Sequence, residues 1–260
     1  GVNSTHARRA TLLEKYNFEC KCHACVQAND FAFWYRCQVG DCGGALSPSE
    51  PLHSMSYATL LQNIAHVEEN RGLKLADSSL LENGVSLNIQ CNVCSTKCTD
   101  VRRLLRFTVQ ADAFFQEGVE NPNEQEAVKM LEHCLQLREC LLHKYNVRLA
   151  ETYDALGRAY ANINMWENAI GCVESSITKL RKIYGEESIE VGLEYIKLGQ
   201  LCLMFNQPEK TMACAVEAKR LVEPYASLND GIDETMCSRN MAALQIEDLL
   251  ANCRFLLGAK

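Results

Sequence analysis

The sequence predicts a mainly α protein in which a small, zinc-ribbon-like, cysteine-rich region is followed by a helical-repeat domain. Eight of the 15 cysteines fall in residues 1–98 in short-spaced groups, which is typical of zinc ligands. Apolar residues make up 47% of the chain, with only 5 Pro and 14 Gly, as expected of a helix-rich protein. From about residue 100, matching positions recur 42 residues apart, which indicates structural repeats.

Charge and composition exclude several classes of function. Residues 1–106 carry 11 Lys/Arg and 10 Asp/Glu, a net charge of +1, whereas residues 107–260 carry 15 and 23, a net charge of −8. An acidic second half argues against direct nucleic-acid binding and favours a basic protein partner. No uncharged apolar run is long enough to span a membrane, and no secretory signal is evident. Seven further cysteines are scattered singly, which suits a reducing cytoplasm or nucleus.

The first cysteine group is a knuckle of three thiols, Cys20, Cys22 and Cys25. Thiolates at this spacing converge on one tetrahedral Zn²⁺, but a structural zinc site needs four ligands. His23 is one candidate for the fourth ligand, although its place inside the knuckle makes simultaneous ligation awkward. The other candidate is a thiolate from outside this segment, which is the interpretation we favour.

The residues that lead into the knuckle carry a family resemblance. Residues 7–20 followed by Cys-x-Cys-x-x-Cys closely resemble the end of the SET domain and the post-SET motif of the SMYD (SET and MYND domain) family. The resemblance implies an S-adenosyl-L-methionine-dependent protein-lysine methyltransferase whose SET core supplies the fourth thiolate. It also implies that Gly1 follows the core tyrosine, so that the chain begins inside the SET domain. Nothing in residues 1–260 resembles the Asn-His cofactor motif of that core or the MYND finger.

Two aromatic residues match functional positions of the post-SET motif. The resemblance implies that Phe18 packs against the adenine of the cofactor and that Tyr16 lies near the lysine channel, a catalytic position. Asn17 separates them, so both rings share one face if the segment is extended. Without the resemblance, both residues would be interpreted as ordinary aromatic residues of a hydrophobic core.

A second metal site is predicted in residues 31–99. Cys37-x4-Cys42-Gly-Gly and the Cys-x-x-Cys of Cys91 and Cys94 describe two halves of one zinc site, with Cys98 as an alternative to Cys94. The opposing interpretation is a set of unligated thiols. An amphipathic helix is expected between the halves, and an aromatic patch before them is expected in the core: Phe31, Phe33, Trp34 and Tyr35. Additional cysteine pairs of this kind resemble the longer SMYD proteins.

The remaining sequence predicts three helix pairs and a capping helix. We place them at about 104–145, 149–184, 191–225 and 232–257. Residues 149–170 resemble a tetratricopeptide helix pair, in which small residues such as Gly157 permit close helix packing. The period of 42 exceeds the common ~34 residues and resembles kinesin-light-chain-like repeats. SMYD proteins end in a similar tetratricopeptide-like domain.

The expected domains are the end of SET with the post-SET knuckle (1–30), the second zinc-binding region with its four cysteine ligands (31–99) and the helical domain (100–260). Two functions follow. One is the C-terminal part of a SMYD-type methyltransferase that acts on a target lysine of a protein substrate and recruits a chaperone or another protein through its repeats. The other is a zinc-stabilised helical-repeat adaptor without catalysis. In both, Zn²⁺ is structural, and neither involves a membrane.

Overall fold

A small antiparallel sheet precedes a succession of α-helices. The structure is a computed structural model that describes residues 13–14, 17, 34–48, 80–81, 85–86, 89–226 and 234–258. Its strands are β1 (Tyr35–Arg36), β2 (Ala45–Pro48), β3 (Leu80–Leu81), β4 (Val85–Ser86) and β5 (Ile89–Cys91). Its helices are α1 (Val101–Glu120), α2 (Glu124–Leu141), α3 (Val147–Asn162), α4 (Trp166–Tyr184), α5 (Ile189–Met204), α6 (Pro208–Ala226) and α7 (Glu234–Leu256). The predicted fold class is therefore confirmed.

The sheet brings together two parts of the chain that are distant in sequence. Its strand order is β1–β2–β5, with both pairs antiparallel, while β3 and β4 form a separate pair. Leu46 lies opposite Tyr35 on one side and Cys91 on the other. Because β2 is the central strand, it brings two strand ends into one sheet. These are the end of β1, which Cys37 follows, and the end of β5 at Cys91.

The helices repeat with the predicted period. Helix α3 begins at Val147 and α5 at Ile189, while α4 begins at Trp166 and α6 at Pro208, so each start recurs after 42 residues. The turns inside the two pairs also match, because Asn164 (φ 61°) and Asn206 (φ 55°) both adopt the left-handed conformation. Asparagine tolerates this conformation better than other non-glycine residues, so it suits a three-residue turn between helices.

Close packing within the pairs depends on small residues, as the sequence predicts. A Cβ atom on Gly157 would lie 3.2 Å from Val173 Cγ2 and 3.3 Å from the Ala169 carbonyl oxygen. A Cβ atom on the equivalent Gly199 would lie 3.5 Å from Cys214 Cβ of its partner helix α6 and 3.1 Å from Leu249 Cδ1 of α7. Leu156 and Tyr160 are buried beside them. Each repeat therefore covers its apolar face by packing on its neighbours.

The chain divides into two compact units. The first consists of residues 1–116 and 133–148, and the second of residues 117–132 and 149–260. In the first, apolar side chains of the sheet pack on the beginning of α1: Cys37, Leu46, Ile89, Cys91, Leu104 and Leu105. The second has its own core, whose buried members include Val173, Val191, Leu221 and Leu249. Of the helices that the structure describes, none has the length and apolar character needed to cross a bilayer.

Ion pairs and hydrogen bonds join segments of the first unit that are distant in sequence. Asp112 of α1 accepts hydrogen bonds from Arg138 Nη2 at 2.6 Å and from Arg148 Nη1 at 2.7 Å. Arg138 is 4% exposed, so this ion pair is buried on one side. Trp34, predicted to lie in the core, is buried, and its carbonyl oxygen accepts hydrogen bonds from His143 N and Asn146 Nδ2. Phe31 and Phe33 lie outside the described residues, as does the helix expected between the cysteine pairs.

Candidate metal centre

The first cysteine pair lies in the connection between β1 and β2. Cys37 follows β1, and Cys42 ends a short 3-10 turn formed by Gly40–Cys42. The connection is closed by hydrogen bonds from Cys37 N to the Gly44 carbonyl and from Cys42 N to the Val39 carbonyl, both 3.1 Å. These bonds bend the backbone so that both thiols point to the same side.

The second pair lies in the turn that follows β5. Cys91 is the last residue of β5, and Cys94 lies three residues on, within the turn. Ser95 N donates to the Cys91 carbonyl (3.1 Å), and Cys91 N donates to the Thr96 carbonyl (2.9 Å). In addition, Val93 N lies 3.4 Å from Cys91 Sγ. An amide directed at a sulfur spreads the negative charge of a thiolate, which favours its role as a metal ligand.

The two pairs meet, and their four sulfur atoms all lie within 4.8 Å of one another. Cys37 Sγ is 3.7 Å from Cys94 Sγ, and Cys42 Sγ is 3.7 Å from Cys91 Sγ. A regular tetrahedron with Zn–S bonds of about 2.3 Å has S–S edges of about 3.8 Å. The same distances are far too long for disulfide bonds, which measure about 2.05 Å. The four residues therefore fit a tetrahedral zinc ion.

Asn92 joins the two halves of the site. Its side-chain Oδ1 accepts a hydrogen bond from Ala45 N at 2.9 Å, and its own backbone N donates to the Ala45 carbonyl at 3.0 Å. Ala45 opens β2, directly after the first pair. The turn that carries Cys94 is thus tied to the strand that follows Cys42.

The environment of the thiols differs across the cluster. Burial raises the pKa of Cys37 to about 12. By contrast, a hydrogen bond with the Thr96 side chain, whose Oγ1 lies 3.2 Å from Cys94 Sγ, lowers the pKa of the exposed Cys94 thiol to about 6. The backbone amide of Gly44 acts to lower the pKa of Cys42, but hydrogen bonding with Cys94 and burial leave it raised. Metal binding must therefore displace protons from Cys37 and Cys42.

Comparison with known proteins gives a consistent family. No family model matches the chain. The protein-lysine N-methyltransferase SMYD4 of Danio rerio is 23% identical over 232 residues, which cover 85% of this chain and 26% of that protein. SMYD4 of Mus musculus is 29% identical over 82 residues, which cover 32% of this chain and 10% of that protein. The chain is therefore similar to SMYD proteins, in agreement with the resemblance found in its sequence.

The similarity to zebrafish SMYD4 extends over most of the chain, but the chain spans only about a quarter of that protein. One solved structure with a similar arrangement is that of BtubC (BKLC) from P. vanneervenii, at a TM-score of 0.42 and 14% identity. That comparison covers 81% of this chain and 83% of the BtubC chain.

The SMYD-type post-SET residues were predicted from sequence and lie outside the residues that the structure describes. They are Tyr16, Phe18, Cys20, Cys22 and Cys25, together with His23. Their roles, and the domain limits at residues 30 and 99, stay predictions. The four residues predicted for the second site, in contrast, lie together. Cys98 is not a member of this group and instead packs against the apolar core of the first unit.

Asn92 and Thr96 could not be identified from the sequence, because a turn amide or hydroxyl next to a cysteine is common and has no spacing rule. Gly44 could be identified, since glycine after a knuckle thiolate is a recognisable signal. A Cβ atom at Gly44 would lie 2.5 Å from Cys91 Sγ. Four thiolates would fill the coordination shell of a bound zinc ion and leave no position for a substrate, as in zinc sites that stabilise a fold.

Proposed function

We propose that the chain is the C-terminal part of a protein-lysine N-methyltransferase of SMYD type that uses S-adenosyl-L-methionine. The observation that carries this proposal is the similarity to zebrafish protein-lysine N-methyltransferase SMYD4 along 85% of the chain. The post-SET resemblance of residues 1–25 supports the same conclusion. In this proposal Phe18 packs on the cofactor, Tyr16 lies at the lysine channel, and Cys20, Cys22 and Cys25 hold a zinc ion with a fourth thiolate from the SET core.

The remaining regions have supporting roles in this proposal. Cys37, Cys42, Cys91 and Cys94 hold a structural zinc ion, which is supported by the tetrahedral spacing of their sulfur atoms. The tetratricopeptide-like helices recruit protein partners, such as a chaperone, which is supported by the 42-residue helix repeat and the acidic charge of residues 107–260. None of the eleven cysteines in the described residues forms a disulfide bond, which suits the cytoplasm or nucleus.

A second candidate function is a zinc-stabilised adaptor that performs no chemistry. It is favoured by the closed four-thiolate arrangement, because such a site holds a fold together and offers no open coordination position. The two candidates differ in whether the parent protein binds S-adenosyl-L-methionine.

The test uses the full-length parent protein and measures cofactor binding by calorimetry, which requires no knowledge of the substrate. We expect binding of S-adenosyl-L-methionine by the parent and none by the 260-residue chain alone. Phe18→Ala should weaken binding in the parent about tenfold, because one aromatic stacking contact is worth about 1.4 kcal/mol. Cys140→Ser, at an exposed thiol, is the matched control and should have no effect. A parent that binds no cofactor would favour the adaptor.

A further inference from the structure

A small pocket opens on the second unit where three helical segments meet. It has a volume of about 120 Å³ and lies between the end of α1, the beginning of α2 and one face of α3. Its floor is formed by short or apolar side chains: Ala127, Leu131, Ala155 and Ala159. Pockets for drug-sized ligands measure about 300–1,000 Å³. This pocket is several times smaller, so it has room for one long side chain of a partner.

Close approach of α1 to α2 sets the width of the pocket. A Cβ atom on Gly118 would lie 2.8 Å from Leu131 Cγ, so the Leu131 side chain packs directly on the backbone of α1 at this point. Two alanines of the floor, Ala155 and Ala159, belong to successive turns of α3. The alanines give this side of the pocket a short apolar surface, which suits an unbranched chain of methylene groups. The polar part of the lining consists of Asn121, Glu124, Arg158 and Asn162.

The pocket is negatively charged on its Glu124 side, although Arg158 also lines it. Glu124 lines it, and the Glu124 carboxylate accepts a hydrogen bond from Asn162 Nδ2 at 2.8 Å. An amide orients this carboxylate but does not neutralise it. Arg158, a cation on the rim, already pairs with Asp154 at 3.0 Å.

The surrounding sequence has the same sign of charge. Residues 117–132 contain five glutamates and a single base, Lys129, a net charge of −4. Lys129 in turn pairs with Glu126 at 3.1 Å. A cationic group that approaches Glu124 therefore meets a favourable field.

We propose that this pocket binds a lysine side chain of a protein partner. The methylene groups lie on the alanine floor and the ammonium group pairs with Glu124, which combines the two features of lysine, a flexible four-carbon stem and a compact charge. The inference rests on the proposed role of the helical region in protein recruitment. It adds the residue type that is recognised and the place where recognition occurs.

The test is an NMR titration of the zinc-loaded 260-residue chain with the peptide acetyl-Gly-Lys-Gly-amide. The matched probe replaces lysine with norleucine, which keeps the stem and removes the charge. We expect the lysine peptide to shift the amide resonances of Ala127, Ala155 and Ala159. Glu124→Gln should lower the affinity at least fivefold, while Glu126→Gln, which removes the same charge outside the pocket lining, should change it less than twofold.

Three results would overturn the proposal. They are shifts that avoid the pocket residues, equal shifts with the norleucine peptide, and equal losses of affinity in Glu124→Gln and Glu126→Gln. The last result would indicate diffuse attraction to an acidic surface. Thermal melting of both variants checks that each remains folded. The measurement involves neither S-adenosyl-L-methionine nor methyl transfer, so its outcome is separate from that of the catalytic proposal.

Discussion

Replacing Gly44 with alanine is expected to weaken zinc binding at the four-thiolate site about a hundredfold, at the upper end of the effects seen when groups around a metal site are disturbed. The new Cβ atom would lie 2.5 Å from Cys91 Sγ, about 0.9 Å closer than the 3.4 Å at which ordinary contact begins. Metal–ligand distances tolerate deviations of only about 0.2 Å. Val93 Cβ, 3.0 Å from the same point, limits movement of the turn in response. The loss corresponds to about 2.7 kcal/mol and is measured by competition with a chromophoric zinc chelator.

Two neighbouring glycines provide controls that separate steric from backbone effects. A Cβ atom at Gly40 meets no atom within 4 Å, so Gly40→Ala should bind zinc as the unaltered chain does. Gly43 also has open space but a φ of 62°, so Gly43→Ala should cost about 1 kcal/mol of stability through its backbone alone. If the zinc affinities of Gly44→Ala and Gly40→Ala differ by less than threefold, the position of Cys91 Sγ next to Gly44 is refuted.

Three further predictions concern the first unit. Cys91→Ser should abolish the one zinc ion that survives mild chelation, whereas Cys98→Ser should retain it; metal analysis showing the reverse would mean that the ligand is wrongly assigned. Asp112→Ala should destabilise the chain by about 3 kcal/mol in urea unfolding, because it removes the carboxylate partner of the buried Arg138; a loss below about 0.5 kcal/mol, typical of surface sites, would contradict this. Burial raises the pKa of Cys37 to about 12, so this thiol is protonated near neutral pH and must lose its proton to bind zinc. Zinc affinity should therefore rise at least tenfold per pH unit between about pH 6.5 and 7.5, and a flat profile in chelator competition would exclude this proton release.

The helical repeat could be predicted because its signals are local and periodic. Gly157 and Gly199 mark the same packing position in successive repeats, and the helix starts recur at the same interval. The grouping of four cysteines into one metal site could also be predicted, because a structural zinc ion requires four ligands and two Cys pairs supply them. In both cases the physical requirement is visible in the spacing of a few residue types.

Other features depend on contacts that no local pattern reveals. The register that places Leu46 opposite Cys91 joins strands separated by more than 40 residues, and the Asn92–Ala45 hydrogen bonds exist only in that register. Asp112 and Arg148 look in the sequence like ordinary charges on solvated helix faces. Only the folded chain shows that they meet across α1 and α3. The choice of Cys94 over Cys98 likewise required the geometry of the turn after β5.

The hydrogen bonds that the Trp34 carbonyl accepts from His143 N and Asn146 Nδ2 have a consequence for the synthesis of the protein. The bond to Asn146 joins residues 112 positions apart, and both fix the beginning of β1 to the connection after α2. During synthesis, Cys37 and Cys42 leave the ribosome about 50 residues before Cys91 and Cys94, and more than 100 residues before His143 and Asn146. Contacts of such long range form late. For that interval the thiols of the nascent chain remain unprotected, so the supply of zinc and the reducing state of the cell at the moment of translation should decide how many chains mature.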